Sequence, residues 1–264
     1  MKTALRLQRS SLLIPTLILL VVLAIPFCHV EGSIKAIVFD CDGVLVDTEG
    51  LKFQAWKEAL QSKGVVLSPE SYQPLVGKTS TAILSAIAKE YHFTFDPKII
   101  DEKDRLYSAL QRGEVKSLAP MIAVVLWAKK KRENKELLLG VATSASRKEV
   151  LVNLNHLKIR DVFDVVLSGK EDLSHYQNPL GVNKPQPYIY LEMSKRLGVK
   201  PNECLVFEDS RAGVCAAKKA GCLVIAVPNE WTAKHNFADA DLILDQGNSK
   251  EIIKRVQIVL YQNK

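Results

Sequence analysis

Ile34-Lys35-Ala36-Ile37-Val38-Phe39-Asp40-Cys41-Asp42-Gly43-Val44-Leu45-Val46-Asp47-Thr48-Glu49 is the stretch from which the fold is read. Its first part is apolar and β-branched, the composition of a strand buried on both faces. Two carboxylates, Asp40 and Asp42, follow at once. Open α/β sheets place ligands beyond the carboxyl ends of their strands, so an acidic pair at that point marks a functional edge. Acids at i and i+2 point to the same side and repel one another unless they share a cation, of which a divalent metal is the simplest. Gly43 permits a sharp turn, Val44-Leu45-Val46 reads as a short apolar hairpin, and Asp47 or Thr48 as the N-cap of a helix. For such a pair standing alone a solvated turn is the plain alternative, and the rest of the chain has to decide.

Downstream, residues 50–116 are helical in character. Leu51, Phe53, Trp56 and Leu60 recur at helical spacing, as do Ile83, Ile87 and Tyr91, and Ile99 to Leu110 gives a third helix. Short apolar strands then return at 137–142, 162–168, 204–208, 223–227 and 241–244, separated by helices over 146–157, 188–197 and 211–220. This alternation predicts an α/β fold, a Rossmann-like parallel sheet with a helical cap inserted after the first strand. Residues 33–49 and 117–264 are the expected core and 50–116 the cap. No internal repeat or low-complexity segment interrupts the pattern.

The 264 residues are 47% apolar and 25% charged, as in ordinary globular proteins, with a formal charge of +7. Without residues 1–32 the excess is +5, from 33 cationic and 28 acidic side chains. The densest basic run, Lys129-Lys130-Lys131-Arg132, is followed by Glu133 and Glu136 and has no interleaved aromatics for base stacking. It reads as a solvated helix end, and no nucleic-acid partner is expected.

Residues 1–32 differ from everything after them. Basic residues up to Arg9 precede an uncharged apolar run from Ser11 to Phe27, and small residues near Gly32 suit cleavage. The segment reads as a signal peptide or an uncleaved signal anchor, implying export or membrane attachment through this segment alone. A mis-assigned start, with a cytoplasmic enzyme, is the other reading. Cys41, Cys204, Cys215 and Cys222 show no metal-binding spacing and read as reduced buried thiols, a usage that fits the cytosol better.

Further chemistry sits at the other strand ends. Thr143-Ser144-Ala145-Ser146-Arg147 is a hydroxyl-rich turn opening a helix, suited to a phosphate, although a Ser or Thr there is commonly just a cap. Glu208-Asp209-Ser210 is a second acidic pair ending a strand. Between them, Lys184 precedes Pro185 and Pro187, which hold the chain in a fixed non-helical path.

In order and type these four segments resemble the signature set of the haloacid dehalogenase superfamily, over roughly residues 34–245. Asp40 and Asp42 match its first motif, Ser144 the second, Lys184 in KPQP the third, and Glu208-Asp209-Ser210-Arg211-Ala212-Gly213 the fourth. The helical insert resembles the cap of the branch containing β-phosphoglucomutase and the sugar-phosphate phosphatases.

The resemblance implies a phosphoric monoester hydrolase acting on a small phosphorylated metabolite, a sugar phosphate, with a β-phosphoglucomutase-like intramolecular phosphotransferase as the alternative. It implies Asp40 as nucleophile forming an aspartyl-phosphate and Asp42 as acid and base. Mg²⁺ would be held by Asp40, Asp209 and the carbonyl of Asp42, with Glu208 supporting. Lys184 would bridge nucleophile and phosphoryl oxygens, and Ser144 with the Ala145 N–H would hold the other oxygens. Ser146 and Arg147 resemble contacts to a second phosphate. Thr143 is expected to be structural only. A monomer is expected. Lys52 stands where the mutase branch has histidine, and no arginine occurs near position 80; both weaken the mutase reading. Tyr188 replaces the usual Asp after the proline motif, which bears on how Lys184 is held. Residues 174–181 suggest a loop at the mouth of the site, with His175 exposed.

Overall fold

The computed structural model describes residues 33–113 and 115–262. The chain begins with β1 (Ala36–Phe39) and β2 (Val46–Asp47), runs through helices α1 (Glu49–Ala59), α2 (Pro69–Tyr72), α3 (Ser80–Glu90) and α4 (Lys98–Gln111), and returns through β3 (Lys116–Ser117). There follow α5 (Ala119–Glu133), β4 (Leu138–Thr143), α6 (Arg147–His156), β5 (Val165–Ser168), α7 (Tyr188–Leu197), β6 (Cys204–Glu208), α8 (Arg211–Ala220), β7 (Leu223–Ala226), β8 (Leu242–Ile243) and α9 (Ser249–Gln262).

Six strands form one parallel sheet in the order β5-β4-β1-β6-β7-β8. β1 lies at the centre, its residues in register with β4 on one side and β6 on the other. After β1 the chain builds outward through β4 and β5 and then returns to β6, so the direction of winding reverses between β1 and β6. That is where doubly wound sheets open a ligand crevice.

The alternation of strand side chains explains the layers. Ile37, Phe39, Leu205, Phe207, Leu223 and Ile225 face one way, onto Met121 and Val125 of α5 and Ile252 and Val256 of α9. Ala36, Val38, Val206, Val224 and Ala226 face the other, onto Ile189 and Met193 of α7 and Val214 and Ala217 of α8. Phe39 stacks on Phe207 with ring centroids 5.2 Å apart, fixing β1 against β6 next to the crevice.

Helices α1 to α4 bury a cluster of their own around Trp56, Leu60, Tyr72, Leu84, Ile87 and Ile99. The two strands leading into and out of this cap pair antiparallel, Val46 with Ser117 and Asp47 with Lys116. The expected local hairpin is therefore only half of the arrangement. Gly43 N–H does close a tight turn onto the Val46 carbonyl at 2.7 Å, but Val46 then takes its strand partner from seventy residues further on. The leader reading falls on residues 1–32, outside the described residues; among those described, no helix is long and apolar enough to cross a membrane.

Candidate active site

Asp40 directly follows β1, Glu208 ends β6 and Asp209 follows it, so the two central strands deliver three carboxylates to the crevice at the winding reversal. All three are buried, and one carboxylate oxygen from each lies within 4.8 Å of the others. Lys184, on the loop before α7, joins them with its ammonium 2.6 Å from Asp40 Oδ1, 2.6 Å from Glu208 Oε1 and 3.0 Å from the Ala142 carbonyl. The Tyr190 hydroxyl also donates to Glu208 Oε1, and the Lys184 ammonium sits 5.2 Å from the Tyr190 ring centroid. Lys184 is thus held by contacts that make no use of residue 188. Tyr188 instead accepts a hydrogen bond from the Asn178 amide.

Two glycines make room for this packing. Gly43 has φ +79°, and a Cβ there would lie 2.1 Å from Asp209 Oδ2. Gly213, in the first turn of α8, would place a Cβ 1.9 Å from the Glu208 carboxyl carbon. Asn229 donates to Asp209 Oδ2 at 2.8 Å and to the Gly43 carbonyl at 3.3 Å, and Gln246 donates to that carbonyl at 2.9 Å. Neither residue belongs to a motif, and only the fold brings them to the site.

Asp42 is held apart from the other acids. Thr48 donates to its Oδ1 at 2.5 Å, Thr143 to its Oδ2 at 3.3 Å, and the Lys52 ammonium lies 3.4 Å from Oδ1. Thr48 does stand at the N-cap position of α1, but its side chain caps nothing, because it is spent on Asp42. Thr143 is likewise more than structural, since its hydroxyl touches Asp42 while accepting from Ala145 N–H at 3.0 Å.

Electrostatics separate the acids. Burial, with the charges of Glu208 and Asp42, outweighs Lys184 and raises Asp40 to about 7. Asp209 is pushed well above its ordinary value by burial and then by Glu208 and Asp40. Asp42 moves the other way: burial opposes ionisation, but Lys52 and the hydroxyls of Thr48 and Thr143 prevail and its pKa falls. Three buried carboxylates with one ammonium among them form a donor set short of positive charge, all oxygen and hard. That fits a divalent cation such as Mg²⁺ held by Asp40, Glu208 and Asp209.

Asp40, Asp42, Lys184 and Asp209 line a cavity of about 370 Å³ between sheet and cap, shared with Ser144, Ala145, Lys52 and Lys78, while Glu208 lies buried behind it. Ser144 is exposed into it. Ser146 and Arg147, expected at a second phosphate, do not line it. The Ser146 hydroxyl accepts from Glu149 N–H at 3.3 Å and the Glu149 carboxylate accepts from Ser146 N–H at 2.6 Å, a capping box that starts α6. The Arg147 guanidinium turns away to the Asp172 carboxylate. Residues 174–181 do not line the cavity either. Tyr176 packs on Tyr188 at 4.7 Å and His175 lies 3.3 Å from Glu192, so the segment is fastened along α7 instead of at the mouth.

A doubly wound sheet with a helical insert and acids on both central strands is the architecture of the haloacid dehalogenase class of enzymes. The chain belongs to that family: the sequence profile of the haloacid dehalogenase-like hydrolases matches residues 37–227. Over 218 residues, 81% of this chain and 91% of the relative, it is 30% identical to the phosphorylated carbohydrates phosphatase of Thermotoga maritima. It is also 30% identical over 186 residues, 70% of this chain and 92% of the relative, to the fructose-1-phosphate phosphatase YqaB of Escherichia coli. A crystal structure of a CbbY variant from Rhodobacter sphaeroides in complex with xylulose-1,5-bisphosphate superposes with a TM-score of 0.65 at 30% identity, covering 80% of this chain and 93% of that one.

Proposed function

We propose that this hydrolase is a Mg²⁺-dependent phosphomonoesterase acting on a small sugar phosphate through an aspartyl-phosphate. The reading is carried by the buried Lys184 ammonium 2.6 Å from both Asp40 and Glu208, because four converging charged groups serve no purpose in folding. Asp40 attacks phosphorus as a carboxylate, and the bond to the ester oxygen breaks as the bond to Asp40 forms. Asp42, ionised while Lys52 and the two hydroxyls hold it, takes up a proton as the phosphate dianion binds beside it, gives that proton to the leaving oxygen, and then takes one from the water that hydrolyses the acyl phosphate. A halide would leave without a proton whereas an alkoxide does not, so Asp42 favours a phosphate ester as substrate. Asp40 and Asp209, with the Asp42 carbonyl and with Glu208 supporting, would hold Mg²⁺, which would supply the positive charge that lets a carboxylate meet a phosphate dianion. Lys184 and the Ser144 hydroxyl stabilise the charge on the transferring group.

Hydrolysis is favoured over the mutase alternative by the placement of Arg147 and Ser146. A mutase holds a second phosphate while the first is moved, and both side chains suited to it are engaged elsewhere. The names of the relatives, a phosphorylated carbohydrates phosphatase and a fructose-1-phosphate phosphatase, support a sugar phosphate as the substrate class. A panel of sugar monophosphates with Mg²⁺ should release free phosphate; an isomeric sugar phosphate in place of free phosphate would decide for the mutase. Export or anchoring by residues 1–32 is proposed on sequence alone, and the mass of the mature protein from its source tests it.

A further inference from the structure

The cavity wall contributed by the cap contains a polar group with nothing to bind. Tyr107, in α4, is 3% exposed, lines the cavity, and its hydroxyl has no hydrogen-bond partner among the described residues. A buried hydroxyl without a partner costs stability, and binding sites are where such a cost is retained. Its neighbour one turn earlier is different. Lys103 lies on the same helix face and also lines the cavity, but its ammonium is ion-paired with Asp104, 3.2 Å from Ser80 Oγ and 5.3 Å from the Trp56 ring centroid. Lys103 is fully engaged, whereas Tyr107 is free to meet a ligand.

The position of the hydroxyl says which part of a substrate it meets. After burial, the Asp42 and Lys52 charges act on it most strongly. Burial and Asp42 raise its pKa, so the phenol keeps its proton as a donor. Tyr107 belongs to the cap wall of the cavity it shares with Asp42, the group assigned to the departing oxygen, which puts it on the leaving-group side. Asn183 lines the same cavity from the core side, and its buried Oδ1 is an acceptor without a hydrogen-bond partner among the described residues. An unpaired donor on one wall and an unpaired acceptor on the other suit a leaving group rich in hydroxyls and penalise a hydrocarbon one.

Resting on the phosphatase reading above, we propose that Tyr107 is a specificity-determining residue: its hydroxyl hydrogen-bonds a hydroxyl of the leaving group and so selects phosphates of polyhydroxy compounds over plain alkyl phosphates. Tyr107→Phe removes the oxygen and keeps the ring. The measurement is kcat/KM with Mg²⁺ for sorbitol 6-phosphate, hexyl phosphate and p-nitrophenyl phosphate, in the wild type and in Tyr107→Phe. The wild type should prefer the polyol phosphate over the hexyl ester at least tenfold. The variant should lower that ratio by about tenfold, the worth of one neutral hydrogen bond, mainly through KM. A side chain needed only for packing would leave the ratio unchanged in Tyr107→Phe, which would overturn the proposal. So would turnover of p-nitrophenyl phosphate by a wild type that shows no polyol preference, an outcome that leaves the phosphatase reading standing. A wild type that releases phosphate from none of the three overturns that reading and this one with it.

Discussion

The ammonium of Lys184 lies 2.6 Å from the carboxylate of Asp40, although 144 positions separate the two in the chain. The contact is buried, and the same ammonium also serves Glu208. Its removal leaves carboxylates facing one another in low dielectric. Breaking a buried ion pair from one side costs about 3–5 kcal/mol. Lys184→Met should therefore lower the unfolding free energy of the metal-free protein, measured by urea titration, by an amount in that range and abolish turnover. A variant as stable as the wild type would show that the lysine does not neutralise this site.

Asp42 acts only where the leaving oxygen needs a proton. Asp42→Asn should cost on the order of 10²- to 10⁴-fold in kcat/KM for an alkyl phosphate, and much less for p-nitrophenyl phosphate, whose phenolate departs unaided. Equal losses on both would exclude the acid role.

The raised pKa of Asp40 has a consequence for pH. Its folded value of about 7 lies above the ordinary 3.8, so between these values the folded metal-free protein binds more protons than the unfolded chain. Stability of the metal-free protein should fall as pH rises from about 4 to 7 on this account, and Mg²⁺ should restore it above 7. Binding of Mg²⁺ below pH 7 must displace the proton. Calorimetric titration in buffers of different ionisation heats should show proton uptake by the buffer at pH 6 and little at pH 8. Affinity that does not change across this range would contradict the assignment of Asp40 to the metal.

Gly213 is in a helix, where alanine is ordinarily the better residue by about 1 kcal/mol. Here a methyl group would occupy the space of the Glu208 carboxylate. Gly213→Ala should destabilise by about 1–3 kcal/mol, the cost of overpacking, and weaken Mg²⁺ binding together with it. Stabilisation by thermal melting would show that Glu208 has another place to go.

The strand ends that carry chemistry were legible in the sequence because each joins an apolar run to conspicuous polar residues. β6, α7 and α8 fall on the expected residues, and Asp40, Lys184, Glu208 and Asp209 come together, with Asp42 beside them on separate partners. What the sequence concealed depends on distant pairing. β2 and β3 are two residues each, too short for a periodic signal, and exist only because the two ends of the cap meet. Asn229 and Gln246 reach the site from loops beyond β7 and carry no pattern. The capping box of Ser146 was not legible because a helix start rich in hydroxyls looks the same whether it holds a phosphate or caps itself. Tyr107 reads as one more apolar position of an amphipathic helix until its oxygen is found without a partner.

The central claim is that phosphate passes through a covalent bond to Asp40. Acid quenching of the enzyme during turnover of a ³²P-labelled sugar phosphate, followed by peptide mapping, tests it most directly. The account predicts label on the peptide containing Asp40, released by hydroxylamine and absent from Asp40→Asn, which should not turn over. Label on another residue, or undiminished turnover by Asp40→Asn, would contradict it.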